Sequence, residues 1–153
     1  MSKILGLDVG DSKIGVAVSD PLGWTAQGLT TIYRESVHND LGLLRKLIYD
    51  NHVKEVVVGL PVKKNGEPDA QTRKILRFAQ LLRKTFHLPV KTWDERFSTI
   101  AASKILEQGI VRKKKKAAVI DKVAAIIILQ GYLDNRNNGN DPLIPSFSSR
   151  NGR

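Results

Sequence analysis

The chain has 153 residues, of which 41% are hydrophobic and none is cysteine. This is enough apolar material for a packed core, and the lack of cysteine excludes disulfides, thiolate zinc sites and thiol nucleophiles. Lysine and arginine total 25 against 15 acidic residues, a formal net charge of +10. Such a basic domain favours a polyanionic partner, nucleic acid before an anionic membrane surface, although charge also serves solubility.

No part of the sequence has the pattern of a signal peptide or a membrane span. The first apolar run meets Asp8 after a few residues, and the longest apolar stretch, Val123–Leu129, is far too short to cross a bilayer. We therefore expect a cytoplasmic protein that does not associate with membranes.

Three strands are predicted in the first part of the chain. Residues 4–9 form a short apolar run, and residues 14–19 alternate between branched and small side chains, which is the period of a strand. Turn residues at 10–12 join the two runs as a hairpin. A second turn at 20–23 leads to a third strand over residues 28–33, so the pattern predicts an antiparallel meander.

Strands and helices alternate after the meander. Apolar residues at helical spacing begin at Leu41, and Asn39 or Asp40 is expected to cap this helix. The later elements are a strand buried on both faces, a helix, a strand and two helices, over residues 53–60, 75–82, 89–93, 99–108 and 120–133.

This order of elements predicts an α/β fold with a five-stranded mixed sheet flanked by helices. One domain is expected to span residues 1–134, because no linker or repeat interrupts it. Residues 135–153 are rich in Asn, Gly, Ser and Pro, and are expected to form a flexible polar tail.

Asp8 is unusual because it stands inside an apolar strand, where a carboxylate needs partners. Gly6, Asp8 and Gly10 alternate, so they share one face of the sheet. Two glycines beside an acid would leave room for a metal, a phosphate or a nucleotide to approach the backbone. The alternative is that Asp8 only caps the turn at the end of the strand.

Two further carboxylates occupy positions suited to a shared site. Glu95 follows the fifth strand, at the carboxyl end where ligands gather in open α/β sheets, and Asp121 begins the last helix. Each acid alone could be structural, as a surface ion pair or a helix cap. Together with Asp8, they suit hard cations such as Mg²⁺ or Mn²⁺, and two such ions about 4 Å apart promote phosphodiester cleavage.

Cations lie close to these acids in the sequence. Arg96 follows Glu95 and could hold a phosphate bidentately. A run of five cations precedes Asp121, and it either contacts phosphates or forms a solvated loop. The run consists of Arg112, Lys113, Lys114, Lys115 and Lys116. The three histidines have no ligand spacing and are expected on the surface.

Four motifs in the sequence resemble the YqgF family, bacterial proteins with a ribonuclease-H-like fold related to the Holliday-junction resolvase RuvC. The resemblance covers residues 3–134. The motifs are Gly6-Leu7-Asp8-Val9-Gly10 with the strand after it, Val58-Gly59-Leu60-Pro61, Trp93-Asp94-Glu95-Arg96-Phe97-Ser98-Thr99, and Asp121-Lys122-Val123-Ala124-Ala125 with Ile128-Leu129-Gln130.

The resemblance implies a ribonuclease-H-like fold and a metal-dependent nuclease that matures the 5′ end of pre-16S ribosomal RNA. It implies that Asp8, Glu95 and Asp121 are catalytic and bind the metal. In the family, the residues that match Asp8-Val9-Gly10 are often followed by a threonine and then a basic residue. In this sequence Asp11 and Ser12 occupy those two positions, and Lys13 follows them. Lys13, and Arg73 after the 65–69 loop, are expected to contact nucleic acid.

Other functions stay open on the sequence alone. A DNA junction resolvase would use the same carboxylates, as a symmetric dimer. A nucleotide-binding module of this fold would need a second domain, and a non-catalytic RNA-binding factor for ribosome assembly or transcription would need no metal. The favoured partner is structured RNA, in a pre-ribosomal particle or free, bound by a monomer or a weak homodimer.

Overall fold

The computed structural model describes residues 2–61, 69–94 and 116–138, and in the last range it describes side chains from residue 122 onward. The elements are the strands β1 (Lys3–Val9), β2 (Lys13–Ser19), β3 (Ala26–Tyr33), β4 (Val53–Leu60) and β5 (Val90–Asp94), and the helices α1 (Val37–Asp50), α2 (Ala70–Phe86) and α3 (Lys116–Asn137).

The strands of the described residues form one mixed sheet in the order β3-β2-β1-β4-β5. The pairs β1–β2 and β2–β3 are antiparallel, whereas β1–β4 and β4–β5 are parallel. The predicted meander and the five-stranded mixed sheet are therefore confirmed.

Helices cover both faces of the sheet. On one face, α1 and α2 pack against large aliphatic side chains such as Leu5, Leu7 and Val16, which are fully buried. On the other face, α3 packs against Ile4, Ala17 and other residues of a second core. Because side chains alternate along a strand, neighbouring residues of β1 belong to different cores.

Glycines bring α3 unusually close to the sheet. A Cβ added to Gly6 would lie 2.7 Å from the Cβ of Leu129 and 3.3 Å from the carbonyl oxygen of Ala125. One added to Gly28 on β3 would lie 3.2 Å from the Cδ1 of Ile126. The helix therefore rests on strand backbone at these points, and its position over the sheet is fixed by steric contact.

The helix boundaries differ in detail from the sequence prediction. The cap of α1 is Ser36, whose Oγ accepts a hydrogen bond of 3.0 Å from the Asn39 N–H, so the expected cap at Asn39 or Asp40 was wrong. The last helix spans Lys116–Asn137 rather than 120–133, and it continues past the residue where the tail was expected to begin. The helix predicted over 99–108 lies outside the described residues.

No helix in the described part of the chain is long and apolar enough to cross a bilayer. The histidines at 38, 52 and 87 are exposed, as expected from the sequence.

Candidate functional site at the carboxyl edge of the sheet

Three parallel strands end at one edge of the sheet. Leu7 of β1 pairs with Val58 of β4, and two residues further along β4, Leu60 pairs with Asp94 of β5. The carboxyl ends of β1, β4 and β5 therefore lie side by side, which is where ligands bind in open α/β sheets.

Asp8 lies at this edge, on the face that α3 covers. It is half-buried, it follows Gly6 by two residues, and it pairs with Gly15 of β2. Because Gly6 touches Leu129 and alternate residues share a face, the Asp8 carboxylate is on the same side of the sheet as α3.

The backbone of Asp121 is in α3, one helical turn before Ala125. The hydroxyl of Tyr132 donates a hydrogen bond to Glu55, which pairs with Ile4 at the start of β1. Ala125, nearer the helix start, lies over Gly6. The helix is therefore antiparallel to β1, and residues before Ala125 lie toward the Asp8 end of the strand.

Several predicted site residues fall outside what the structure describes. Glu95 and Arg96 directly follow β5, and the cations at 112–115 precede α3, beyond the described ranges. The side chains of Lys116 and Asp121 are also outside them. Among the side chains that are described, no three histidines or carboxylates are grouped closely enough to hold a metal ion.

Lys13 and Arg73 lie on different sides of the sheet. Lys13 is two residues before Gly15, the partner of Asp8, so it shares the face of Asp8, and its Nζ lies 5.8 Å from the ring centre of Tyr33. Arg73 is exposed in the first turn of α2, on the opposite face. Of these two predicted nucleic-acid contacts, only Lys13 shares the face of Asp8.

Arg34 is a residue of this edge that the sequence analysis missed. Its Nη1 donates a 2.8 Å hydrogen bond to the carbonyl of Gly10, and its backbone N–H donates one of 2.9 Å to the carbonyl of Ser12. Its Nε donates to the Asp40 carboxylate at 2.8 Å, and its guanidinium lies 5.0 Å from the ring centre of Phe78. Arg34 thus holds the turn that directly follows Asp8.

The interpretation of Gly6 as an opening for a ligand was wrong. The space beside this glycine is filled by Leu129 and the backbone of α3. Gly10 lies in the β1–β2 turn, where its N–H donates to the carbonyl of Lys13 at 2.8 Å. Gly6 allows α3 to pack directly on β1, and this packing places α3 on the same face of the sheet as Asp8.

Asp20 holds the turn at the far end of the sheet. Its carboxylate accepts backbone hydrogen bonds of 2.7 Å from both Trp24 and Thr25 and one of 3.1 Å from Leu22. The Thr25 N–H is the largest of the causes that hold the pKa of Asp20 below its usual value. This turn is remote from Asp8 and serves the architecture.

Solved structures with a similar fold define the class of the protein. The chain is similar to Thermus thermophilus RuvC in complex with a Holliday junction substrate, with a TM-score of 0.59 at 12% identity over 90% of this chain and 97% of that one. The fowlpox virus Holliday junction resolvase gives a TM-score of 0.54 at 15% identity over 87% and 99%. The fold is therefore ribonuclease-H-like, of the type seen in RuvC-like resolvases.

The chain belongs to the RuvX family, whose model is described as a Holliday junction resolvase and matches residues 2–135. A protein from Desulforamulus reducens is 50% identical over 133 residues, which are 87% of this chain and 97% of the relative. One from Carboxydothermus hydrogenoformans is 50% identical over 135 residues, 88% and 98% of the two chains. Both are named "Putative pre-16S rRNA nuclease".

These findings confirm the resemblance to the YqgF family that the motifs indicated. They also place the chain among enzymes that hydrolyse phosphodiester bonds.

Proposed function

We propose that this protein is a divalent-metal-dependent endonuclease that processes the 5′ end of pre-16S ribosomal RNA in the cytoplasm. The names of relatives that match nearly the whole chain support this substrate. The formal charge of +10 supports a nucleic acid, free or in a pre-ribosomal particle, as the partner.

The position of Asp8 is the observation that carries the proposal. It lies at the carboxyl edge of the sheet, on the face covered by α3, and α3 brings the backbone of Asp121 toward the same end of β1. Trp93 of β5 packs in the core under α3. Strand alternation beyond β5 would put Glu95 on that same face.

Carboxylates in this arrangement suit Mg²⁺ or Mn²⁺, since both are hard cations that prefer oxygen ligands. Asp8, Glu95 and Asp121 would hold the ion, which activates water and neutralises charge on the phosphate when bound. Asp8 is half-buried and pairs with Gly15 of β2, which limits the freedom of its side chain. Lys13 on the same face would attract the phosphate of the substrate, and Arg96 and the cations at 112–116 would add to this attraction.

Cleavage of four-way DNA junctions is the second candidate, and the description of the family model as a Holliday junction resolvase favours it. A resolvase must cut two strands symmetrically, so it would act as a two-fold dimer. A monomer or weak homodimer would fit RNA processing.

The test is cleavage of labelled pre-16S RNA fragments and of a four-way DNA junction, with Mg²⁺ or Mn²⁺, by the wild type and by Asp8→Asn. We expect discrete RNA cuts that need the metal, and a loss of about a thousand-fold or more in Asp8→Asn, because metal catalysis is worth several kcal/mol. Asp50→Asn is the matched control, since it makes the same change at an exposed acid that pairs with Lys46 on α1.

Cleavage of the junction alone, abolished by Asp8→Asn, would support the resolvase instead. Binding of RNA with no acid-dependent cleavage of either substrate would contradict both nuclease proposals and support an RNA-binding factor.

A further inference from the structure

Tyr33 is an exposed aromatic residue on the face of the sheet that carries Asp8. It is the last residue of β3, and it pairs with Lys13 of β2. The neighbouring pair, Ile14 and Ile32, belongs to the core under α1 and α2. Because side chains alternate along a strand, Lys13 and Tyr33 both point to the opposite face, which is the face of Asp8.

The register of the sheet gives the distance between Tyr33 and Asp8. Asp8 pairs with Gly15 of β2, and Gly15 pairs with Thr31 of β3. Tyr33 therefore lies two strands across from Asp8 and two residues further toward the carboxyl edge of β1. With a strand spacing of about 4.8 Å and a rise of about 3.3 Å per residue, the two Cα atoms lie roughly 12 Å apart. Among the described strands β3 is an edge strand, so an oligonucleotide that extends from Asp8 past Lys13 meets Tyr33 before it leaves the sheet.

The position of Tyr33 is held by the residues on both sides of it. Ile32 is buried in the core, and the Arg34 N–H donates a hydrogen bond of 2.9 Å to the carbonyl of Ser12. The side chain of Arg34 donates a further bond of 2.8 Å to the carbonyl of Gly10. The backbone that carries the tyrosine ring is therefore fixed against the β1–β2 turn, and a ligand that stacks on the ring costs little backbone freedom.

The ring of Tyr33 is accessible and lies beside a cation. The residue is 62% exposed, and the Nζ of Lys13 lies 5.8 Å from the ring centre. An aromatic ring next to a positive charge is suited to single-stranded nucleic acid, since a base stacks on the ring and the cation meets a phosphate. Such stacking needs a base with an accessible ring face, whereas a base inside a duplex has both faces covered by its neighbours.

Two other strongly exposed aromatic residues are present among the described side chains, and neither lies on this part of the surface. Trp24 is in the β2–β3 turn at the far end of the sheet, and Tyr49 is near the end of α1 on the opposite face. Single exposed aromatics are common on protein surfaces, so exposure alone does not indicate a binding site. Tyr33 differs from the other two because it lies on the Asp8 face beside Lys13.

We propose that Tyr33 stacks on an unpaired base of the RNA, a few nucleotides from the phosphodiester held at Asp8, and that Lys13 binds a phosphate between them. This rests on the proposed nuclease function. The subsite accepts any base, because every base has a ring face, and it disfavours a duplex at this position. The RNA that fits both sites is therefore single-stranded beside the bond that is cut.

Binding of a fluorescein-labelled oligouridine of about 12 nucleotides, measured by fluorescence anisotropy, tests the stacking. The protein is the full-length chain with Asp8→Asn and no divalent metal, so that the RNA stays intact. Adding Tyr33→Leu in this background is expected to weaken binding about ten-fold or more, because the change removes a stacked base. Binding of the same oligouridine annealed to oligoadenosine is expected to stay unchanged, since its bases are already stacked on one another.

Two further variants separate stacking from other roles of the side chain. Tyr33→Trp keeps an aromatic ring and is expected to bind single-stranded RNA at least as tightly as the unchanged residue. Lys13→Gln is expected to lower the salt dependence of the affinity by about one phosphate contact, whereas Tyr33→Leu should leave that dependence unchanged. Tyr49→Leu is the matched control, since it makes the same change at a residue that is 81% exposed on α1.

Single-stranded binding that Tyr33→Leu leaves intact would overturn the proposal. Equal weakening of single-stranded and duplex binding, or a Tyr33→Trp variant that binds as poorly as Tyr33→Leu, would also overturn it, because neither result is expected from a ring that stacks on a base. The outcome is separable from nuclease function, since binding is measured without cleavage. A wild type that binds RNA through Tyr33 but cuts none would contradict the nuclease proposal alone, and RNA cleavage with no effect of Tyr33 on binding would contradict the stacking alone.

Discussion

The two faces of the sheet are packed by different means. On the α1/α2 face, large aliphatic side chains from the strands meet those of the helices, as in most protein cores. On the α3 face, Gly6 and Gly28 let the helix touch strand backbone. The two faces therefore differ in how precisely they fix the position of a helix. A core of aliphatic side chains can adjust to a small change by rearranging those side chains, whereas a helix in contact with strand backbone cannot.

The α3 face also carries acids, and it is built to keep them in place. Asp8 lies at one end of this face and Glu55 at the other, where Tyr132 donates a hydrogen bond to Glu55. Lys91 and Arg136 lie 3.3 Å and 3.5 Å from the Glu55 carboxylate. The α3 face is therefore the rigid face of the sheet, and it holds the candidate active site.

The largest effect on stability is expected from Arg34→Ala, which breaks the ion pair between Arg34 and the buried Asp40 on the α1/α2 face. Asp40 would stay buried without its partner, so we expect a loss of about 3 kcal/mol or more in the free energy of unfolding. Urea denaturation measures it. The double variant Arg34→Met/Asp40→Leu should recover most of the loss, and an equally large loss there would contradict a charge-based explanation.

Gly6→Ala tests the rigid face directly. The new methyl would lie 2.7 Å from the Cβ of Leu129, so α3 must shift. We expect a cost of about 1–3 kcal/mol together with a fall in cleavage rate, because Asp121 moves relative to Asp8.

Ile14→Val is the comparison on the opposite face, where Ile14 is fully buried. It should cost about 0.5–1.5 kcal/mol and leave the cleavage rate unchanged. If Gly6→Ala and Ile14→Val lowered the cleavage rate equally, the two faces would not differ in how precisely they position the candidate site.

Tyr132→Phe tests the polar end of the rigid face. Loss of the hydroxyl removes one donor from the buried Glu55, and we expect a cost of about 1–2 kcal/mol, since Lys91 and Arg136 remain. Thermal unfolding measures it. Tyr49→Phe, at a side chain 81% exposed on α1, should have no effect.

Asp20→Ala should give the smallest change and one that depends on pH. Because its pKa is lowered in the folded protein, the ionised carboxylate stabilises the fold above the ordinary Asp value of about 3.9, and this contribution is lost as the pH falls through the lowered value. The difference in Tm between wild type and Asp20→Ala should therefore be full near neutral pH and shrink as the pH falls below the ordinary Asp value of about 3.9. A constant difference would contradict this role.

The sequence predicted what depends on local pattern. The alternation in residues 14–19 and the apolar run at 53–60 identified β2 and β4, and the acid in the first strand marked Asp8. The cap of α1 was misplaced because Asp40 resembles a capping residue, although its carboxylate instead pairs with Arg34, six residues earlier in the chain.

Contacts between distant parts of the chain could not be predicted in the same way. Nothing near Gly6 indicates that Leu129 fills the space beside it, since 123 residues separate the two. The motifs named Glu95 and Asp121 through a family resemblance, and their grouping with Asp8 stays a prediction. A cavity of about 460 Å³ lined by residues of α1 and α2 depends on how two separate helices pack on the sheet, which spacing along one helix does not encode.

The contact between Gly6 and Leu129 has a consequence for the order of folding. The meander and β4 can pair as soon as residues 3–60 exist, because all of their partners lie within that range. Among the described elements, the contact between β1 and α3 joins residues 3–9 to residues 116–137, so it has the greatest sequence separation and the largest loop-closure cost. During synthesis, the α1/α2 face of the sheet can therefore pack before the α3 face, and the face that carries Asp8 is covered only when the last described helix has been made.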